Sequence, residues 1–169
     1  SNKIPNSKNF DQIDLDLTGN LIKNVPNLIE NMNNQKLNHY LNDVIGFSFD
    51  ANKYFNDLKP WELKTKDPKR MNAVLNTIIT QIKNISILLN PIIPIASNNV
   101  LNFLNIPIEK RKIAFIKDKD VFDYKKKLNS TYLQKFKFGE KTNIDLPFEA
   151  RGILPTKAYR KKHYKKWYD

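Results

Sequence analysis

The chain has no cysteine, so neither a disulfide framework nor a thiolate metal site is open to it. Its two histidines, His39 and His163, stand too far apart in sequence to suggest a metal pair. Glycine is scarce, with 4 in the whole chain and no glycine-rich loop. Phosphate-cradling turns need glycine for positive φ and close backbone approach, so nucleotide binding of that kind is not expected. No catalytic residues, no metal and no cofactor are therefore assigned. No apolar run reaches the ~18 residues that span a bilayer, and the membrane is not an expected partner. Nothing at Ser1 reads as a secretory signal; a processed organellar protein would have lost its transit peptide. Negative charge is also short: 17 Asp and Glu face 29 Lys and Arg, a net charge of +12.

A chain of 169 residues holds one domain, or one domain with an extension, and 40% hydrophobic residues suffice for a modest core. The charge is uneven. Residues 1–108 carry 11 basic and 9 acidic side chains, whereas residues 109–169 carry 18 and 8. This divides the chain into a near-neutral body, 1–108, and a basic, largely irregular extension, 109–169. Such an excess points to a polyanionic partner, nucleic acid or an anionic membrane surface. The heavy use of Asn, Lys and Ile fits an AT-rich genome.

Hydrophobic periodicity predicts a helical body. Ile13, Leu17, Leu21 and Ile22 form a stripe over 11–23, with Pro26 either kinking this helix or opening a short one over Leu28, Ile29 and Met32. Asn31–Asn34 reads as a turn. Leu37, Tyr40, Leu41, Val44, Ile45, Ala51, Tyr54, Phe55 and Leu58 predict a helix over 35–58 that Pro60 ends. Asp67-Pro68 is a helix start, with Asp at N-cap and Pro at N1. Met71, Val74, Leu75, Ile78, Ile79, Ile82, Ile85 and Leu89 carry that helix to Asn90-Pro91. A shorter helix is expected over 97–104. The architecture is an all-α antiparallel helix bundle with short connections. Beyond Pro107, Ile113–Ile116 reads as a short strand or packing segment and Asp123–Phe136 as a helix. Asp14 with Asp16, Asp118 with Asp120, and Glu109-Lys-Arg-Lys112 read as solvated faces or a solvated hinge.

Several pieces occur together and in order: Ile4-Pro5, then Asn52-Lys-Tyr54, Lys59-Pro-Trp-Glu-Leu63, Asp67-Pro-Lys-Arg-Met71, Leu88-Leu-Asn-Pro91 with Pro94, and Leu101-Asn-Phe-Leu104. In this order they resemble the anticodon-binding domain of methionyl-tRNA synthetase, of the bacterial and mitochondrial type. The resemblance runs from about Ile4 to Ile108, and more faintly to about Pro147. It implies a helix bundle of the class I synthetase anticodon-binding type. It also implies that Trp61, which matches the family's Trp after Pro, stacks on an anticodon base; from its residue type alone, Trp61 is a packing residue at the bundle's end. The family's first helix holds an Asn and an Arg that read other anticodon bases. The resemblance is expected to begin after that helix, so neither is assigned here. The two nucleotide-binding signatures of the catalytic domain are absent, and aminoacylation by this stretch alone is not expected.

The last nineteen residues depart from the family. Arg151, Lys157, Arg160, Lys161, Lys162, Lys165 and Lys166 face Asp169 alone, and Tyr159, His163, Tyr164, Trp167 and Tyr168 interleave with them. Cations neutralise phosphates and aromatics stack on unpaired bases, so this tail is the second expected RNA contact. From the whole sequence the leading expectation is a non-catalytic rRNA-binding constituent of an organellar ribosome, in the mitochondrial matrix, among other proteins of a ribonucleoprotein particle. The alternative is the anticodon-binding part of a split methionyl-tRNA synthetase that binds tRNA(Met), with the cytoplasm of a bacterium as the alternative compartment.

Overall fold

The computed structural model describes residues 3–118 and 121–128. Over that span the chain is all-α, with five α-helices and two 3-10 turns. Helix α1 spans Gln12–Asn33, α2 Leu37–Leu58, α3 Pro60–Lys66, α4 Pro68–Leu89 and α5 Pro94–Phe103.

Helix α1 is one helix, not two. Asp11 caps it in extended conformation, and its N–H donates to Asp14 Oδ2 at 2.9 Å. Pro26 lies inside it and costs a backbone bond. Leu21, Val25 and Leu28, buried on either side of the proline, hold the helix through it. The expected turn at 31–34 falls later. Gln35 takes the left-handed conformation, φ 58°, while the Gln35 N–H donates to Met32 O and the Lys36 N–H to Asn31 O, a Schellman closure.

Helix α2 ends at Lys59, also left-handed at φ 43°. Pro60 then opens α3, which the sequence reading left as a connection. Proline at a first helical position loses no needed N–H, so the residue that stops one helix starts the next. Helix α4 begins as expected, with Asp67 accepting from the Arg70 N–H at 3.0 Å. Helix α5 starts at Pro94, three residues before the expected start, for the same reason as α3.

Helix α4 is the axis of the fold. One side packs with Leu21, Val25 and Leu28 of α1 and Tyr40, Val44 and Phe47 of α2, through Ile85 and Leu88. The other, through Ile87, meets Leu101, Leu104, Ile106, Ile4, Val121 and Phe122. An axial helix buries positions all round, so α4 hides Gln81, Lys83 and Asn84 although Ile82 stays exposed. The Tyr40 hydroxyl donates to Leu88 O near the helix end.

Ile116, Val121 and Phe122 belong to these cores, so packing continues past residue 108. Residues 113–115 form a 3-10 turn rather than a strand. Residues 123–128 do not begin the expected helix: the Asp123 carboxylate accepts from the N–H groups of Lys125 and Lys126, closing a turn. Lys127 then pairs with Lys3 in an isolated bridge. The rest of that expected helix, 129–136, lies outside the described residues.

Two solvated readings are corrected. Asp14 is 1% exposed because Arg70 and Tyr54 reach it from α4 and α2. Within Glu109–Lys112, Arg111 donates to Ile106 O and to the side-chain oxygens of Asn98 and Asn102, which clamps the segment to α5. Asp118 pairs with Lys110 at 2.9 Å.

Candidate nucleic-acid interface

Trp61 is the second residue of α3 and is 56% exposed. Its ring meets Phe55 edge-on, with centroids 5.8 Å apart. This contact holds the indole from one side and leaves much of its surface open. Packing at the bundle's end therefore accounts for only part of the side chain. A flat, exposed aromatic of this kind is a platform for an unpaired base.

Charge gathers around it. Between residues 59 and 70 lie Lys59, Lys64, Lys66, Lys69 and Arg70 against Glu62 and Asp67. Lys66 and Lys59 sit 3.4 Å and 3.6 Å from the Glu62 carboxylate and hold it below the usual carboxylate range. These pairs are exposed, so their worth is small and screened by salt.

The corner that carries Trp61 is locked from below. The Arg70 guanidinium bonds both carboxylate oxygens of Asp14, with Nη2 to Oδ1 at 2.8 Å, and its Nε lies 3.0 Å from Asp11. The Tyr54 hydroxyl donates to the same Asp14 oxygen. Burial pushes the Asp14 carboxyl up, but the hydrogen bonds from Arg70 and Tyr54 and the Arg70 charge outweigh it, leaving it below its ordinary value. Tyr54 is pushed up by burial and by donating to that carboxylate. Three helices thus meet on one carboxylate, next in sequence to Phe55.

A second feature escaped the sequence reading. Asn20, Asn24, Asn27 and Asn31 recur at i, i+4, i+7 and i+11 along α1, a stripe of amides at helical spacing. Asn24 donates to Asn20, while Asn27 and Asn31 both reach Asp43 of α2. Beside the stripe, a groove of 240 Å³ is lined by Asn24, Asn42, Asp43, Gly46, Phe47 and Asp50. The spacing was the available signal, but a search for apolar periodicity passes over polar stripes.

Arg151, Lys157, Tyr159, Arg160, Lys161, Lys162, His163, Tyr164, Lys165, Lys166, Trp167 and Tyr168 lie outside the described residues. Among the described residues there is no group of three or more His, Asp or Glu that could hold a metal ion, and no helix long and apolar enough to cross a membrane.

The fold defines an all-α helical-bundle domain of the type found in the anticodon-binding region of class I tRNA synthetases. A family model described as the anticodon binding domain of methionyl tRNA ligase matches residues 4–130, and the chain belongs to that family. The match opens ahead of α1. A methionine–tRNA ligase of Rickettsia felis is 32% identical over 103 residues, covering 61% of this chain and 19% of the relative. A probable mitochondrial methionine–tRNA ligase of Dictyostelium discoideum is 37% identical over 75 residues, covering 41% of this chain and 13% of that one. The crystal structure of Mycobacterium tuberculosis methionyl-tRNA synthetase bound by methionyl-adenylate shares the fold, with a TM-score of 0.71 at 20% identity, over 76% of this chain and 26% of that one. The chain spans about a fifth of the length of the curated relatives it matches.

Proposed function

We propose that this chain is the anticodon-binding part of a methionyl-tRNA ligase and that it binds tRNA(Met). The observation that carries the reading is the exposed indole of Trp61, held by Phe55 on a cationic corner of a domain that belongs to the anticodon-binding family. Trp61 stacks on an unpaired base, worth ~1–3 kcal/mol, and Lys59, Lys64, Lys66 and Lys69 position the phosphates. The α1 amides read base edges, for which paired donors and acceptors are suited. Asp43 and Asp50 in the groove repel phosphate, so bases rather than backbone enter there. The chemistry of aminoacylation belongs to a catalytic domain outside this stretch.

A second reading, a structural rRNA-binding role in an organellar ribosome, is supported by the 18 basic against 8 acidic residues of 109–169 and the aromatic–cationic pattern of 151–168. The 151–168 pattern lies outside the described residues, whereas the family match covers residues 4–130. The two separate in a competition experiment with the purified full chain and labelled tRNA(Met). Under the first reading unlabelled tRNA(Met) displaces the label at much lower concentration than a ribosomal RNA fragment of equal length. Equal competition by both RNAs would sink the tRNA reading.

A further inference from the structure

Helix α2 has two working faces. Tyr40, Val44, Phe47, Ala51 and Tyr54 are buried against the bundle. Across the helix from them run Asn38, Asn42, Ile45, Phe49, Asn52 and Asn56, all exposed. Phe49 is 68% exposed, more open than Trp61. The six positions are alternately four and three residues apart, the spacing of a seam between two packed helices. None of them is charged, as at the centre of a protein–protein contact. A single exposed apolar residue needs no partner, but a charge-free stripe in seam register, with its apolar residues together at the middle, has the form of an interface.

The order of the residues selects the occupant. Read from either end, the stripe runs amide, amide, apolar, apolar, amide, amide. Such a palindrome is self-complementary about a two-fold axis, as an isologous contact requires. Antiparallel pairing centred on position 47 sets Ile45 of one copy against Phe49 of the other, Asn42 against Asn52 and Asn38 against Asn56. An amide carries both donors and an acceptor, so asparagine pairs with asparagine. Gly46 and Ser48 flank the centre, and the space beside Gly46 is open, so nothing bulky there holds two helix axes apart. The ends of α2 are opposite in charge, with Lys36 at the N-cap and Asp57 one residue before the last. The same pairing brings Lys36 of each copy to Asp57 of the other. Residues 1–108, with 11 basic and 9 acidic side chains, add little net repulsion between two bodies. RNA is a poorer occupant, because Asp43, Asp50 and Asp57 run along one flank of the stripe at every seventh residue and repel phosphate.

We propose that the exposed face of α2 is a homodimer interface that pairs two copies of this chain antiparallel through Ile45 and Phe49. The inference goes beyond the RNA-binding reading and does not rest on it. Asparagines in a helix seam fix the register at a cost in stability, and a contact between two helices is small. The dimer is therefore a reversible one, populated as concentration rises.

The test is sedimentation equilibrium of the purified full chain over a concentration series, beside crosslinking. The expected result is a mass that climbs from one copy toward two. Phe49→Ala weakens association by roughly 100-fold or more, because the symmetry removes two buried rings at once. Its Tm stays near that of the wild type, since the ring is exposed in the single copy. The chain has no cysteine, so introduced thiols report alone. A mixture of Asn42→Cys and Asn52→Cys chains joins through a short thiol-to-thiol crosslinker. Neither variant joins to itself, because antiparallel pairing keeps like positions about 15 Å apart along the axis, at about 1.5 Å per residue. A chain that stays single at every concentration, a dimer indifferent to Phe49→Ala, or Asn42→Cys that joins to itself as well as to Asn52→Cys overturns the proposal. A single chain whose affinity for RNA falls in Phe49→Ala assigns the face to RNA instead. A single chain whose RNA binding is unchanged in Phe49→Ala overturns the dimer and leaves the RNA reading intact.

Discussion

Asp14→Asn is the sharpest perturbation of the corner that carries Trp61. The wild-type carboxylate is 1% exposed and accepts from Tyr54, from two nitrogens of Arg70 and from the Asp11 N–H. Asparagine keeps one acceptor oxygen and turns the other into a donor, which faces an Arg70 nitrogen together with either the Tyr54 hydroxyl or the Asp11 N–H. Arg70, whose side chain is 16% exposed, then retains only the exposed Asp11 as an ionic partner. Breaking a buried pair on one side costs roughly 3–5 kcal/mol, and partial compensation by Asp11 places the expected loss near 3 kcal/mol. With a urea m-value of about 2 kcal/mol/M, the unfolding midpoint falls by roughly 1.5 M. The pH dependence gives a second handle. The folded Asp14 carboxyl lies below its ordinary 3.8, so its contribution is present above 3.8 and is lost as pH falls through the folded value. The gap between wild type and variant should therefore close in acid below about pH 3.8. A loss under about 1 kcal/mol at neutral pH, or a gap that does not shrink in acid, would refute the ion-pair account.

Three further outcomes follow from buried or strained groups. Burial pushes the Lys83 ammonium down to about 8 from 10.5, so between these values the unfolded chain binds a proton the folded one does not, and stability rises with pH by about 3 kcal/mol across that window; Lys83→Met should flatten the rise in a denaturation series. The side chains of Gln81 and Asn84 are buried without a hydrogen-bond partner, so Asn84→Leu should raise stability by about 1–3 kcal/mol, read as an increase in Tm. Gln35→Gly, at φ 58° in the α1 closure, should add about 0.5–1 kcal/mol by removing the left-handed penalty of a side chain.

Most of the helices were legible because their signals are local. Asp67-Pro68 specifies a start that no tertiary contact had to supply, and the observed α4 begins there. What was lost depended on neighbours. Pro26 left a continuing helix and a new one both open because the sequence does not show Leu21, Val25 and Leu28 meeting α2 and α4 on both sides of it. Asp14 looked solvated because its partners Tyr54 and Arg70 stand 40 and 56 positions away. Ile82, one of the apolar residues that mark α4, stays exposed because an axial helix has no single apolar stripe. At the candidate interface, the motif singled out Trp61, but its exposure was not legible, since that depends on how it packs against Phe55. The α1 amides went unread because a polar stripe carries no hydrophobic period.

The central claim is that this domain engages tRNA through the Trp61 corner. The direct measurement is the affinity of the full chain for the anticodon stem-loop of tRNA(Met), by fluorescence anisotropy, for wild type, Trp61→Phe and Trp61→Ala, with thermal unfolding of each measured alongside. Loss of the stacking platform in Trp61→Ala should weaken binding by roughly 5- to 150-fold, corresponding to ~1–3 kcal/mol, with partial retention in Trp61→Phe and little change in Tm. Unchanged affinity in Trp61→Ala, with a lowered Tm, would mean that the indole serves packing alone and would contradict the account.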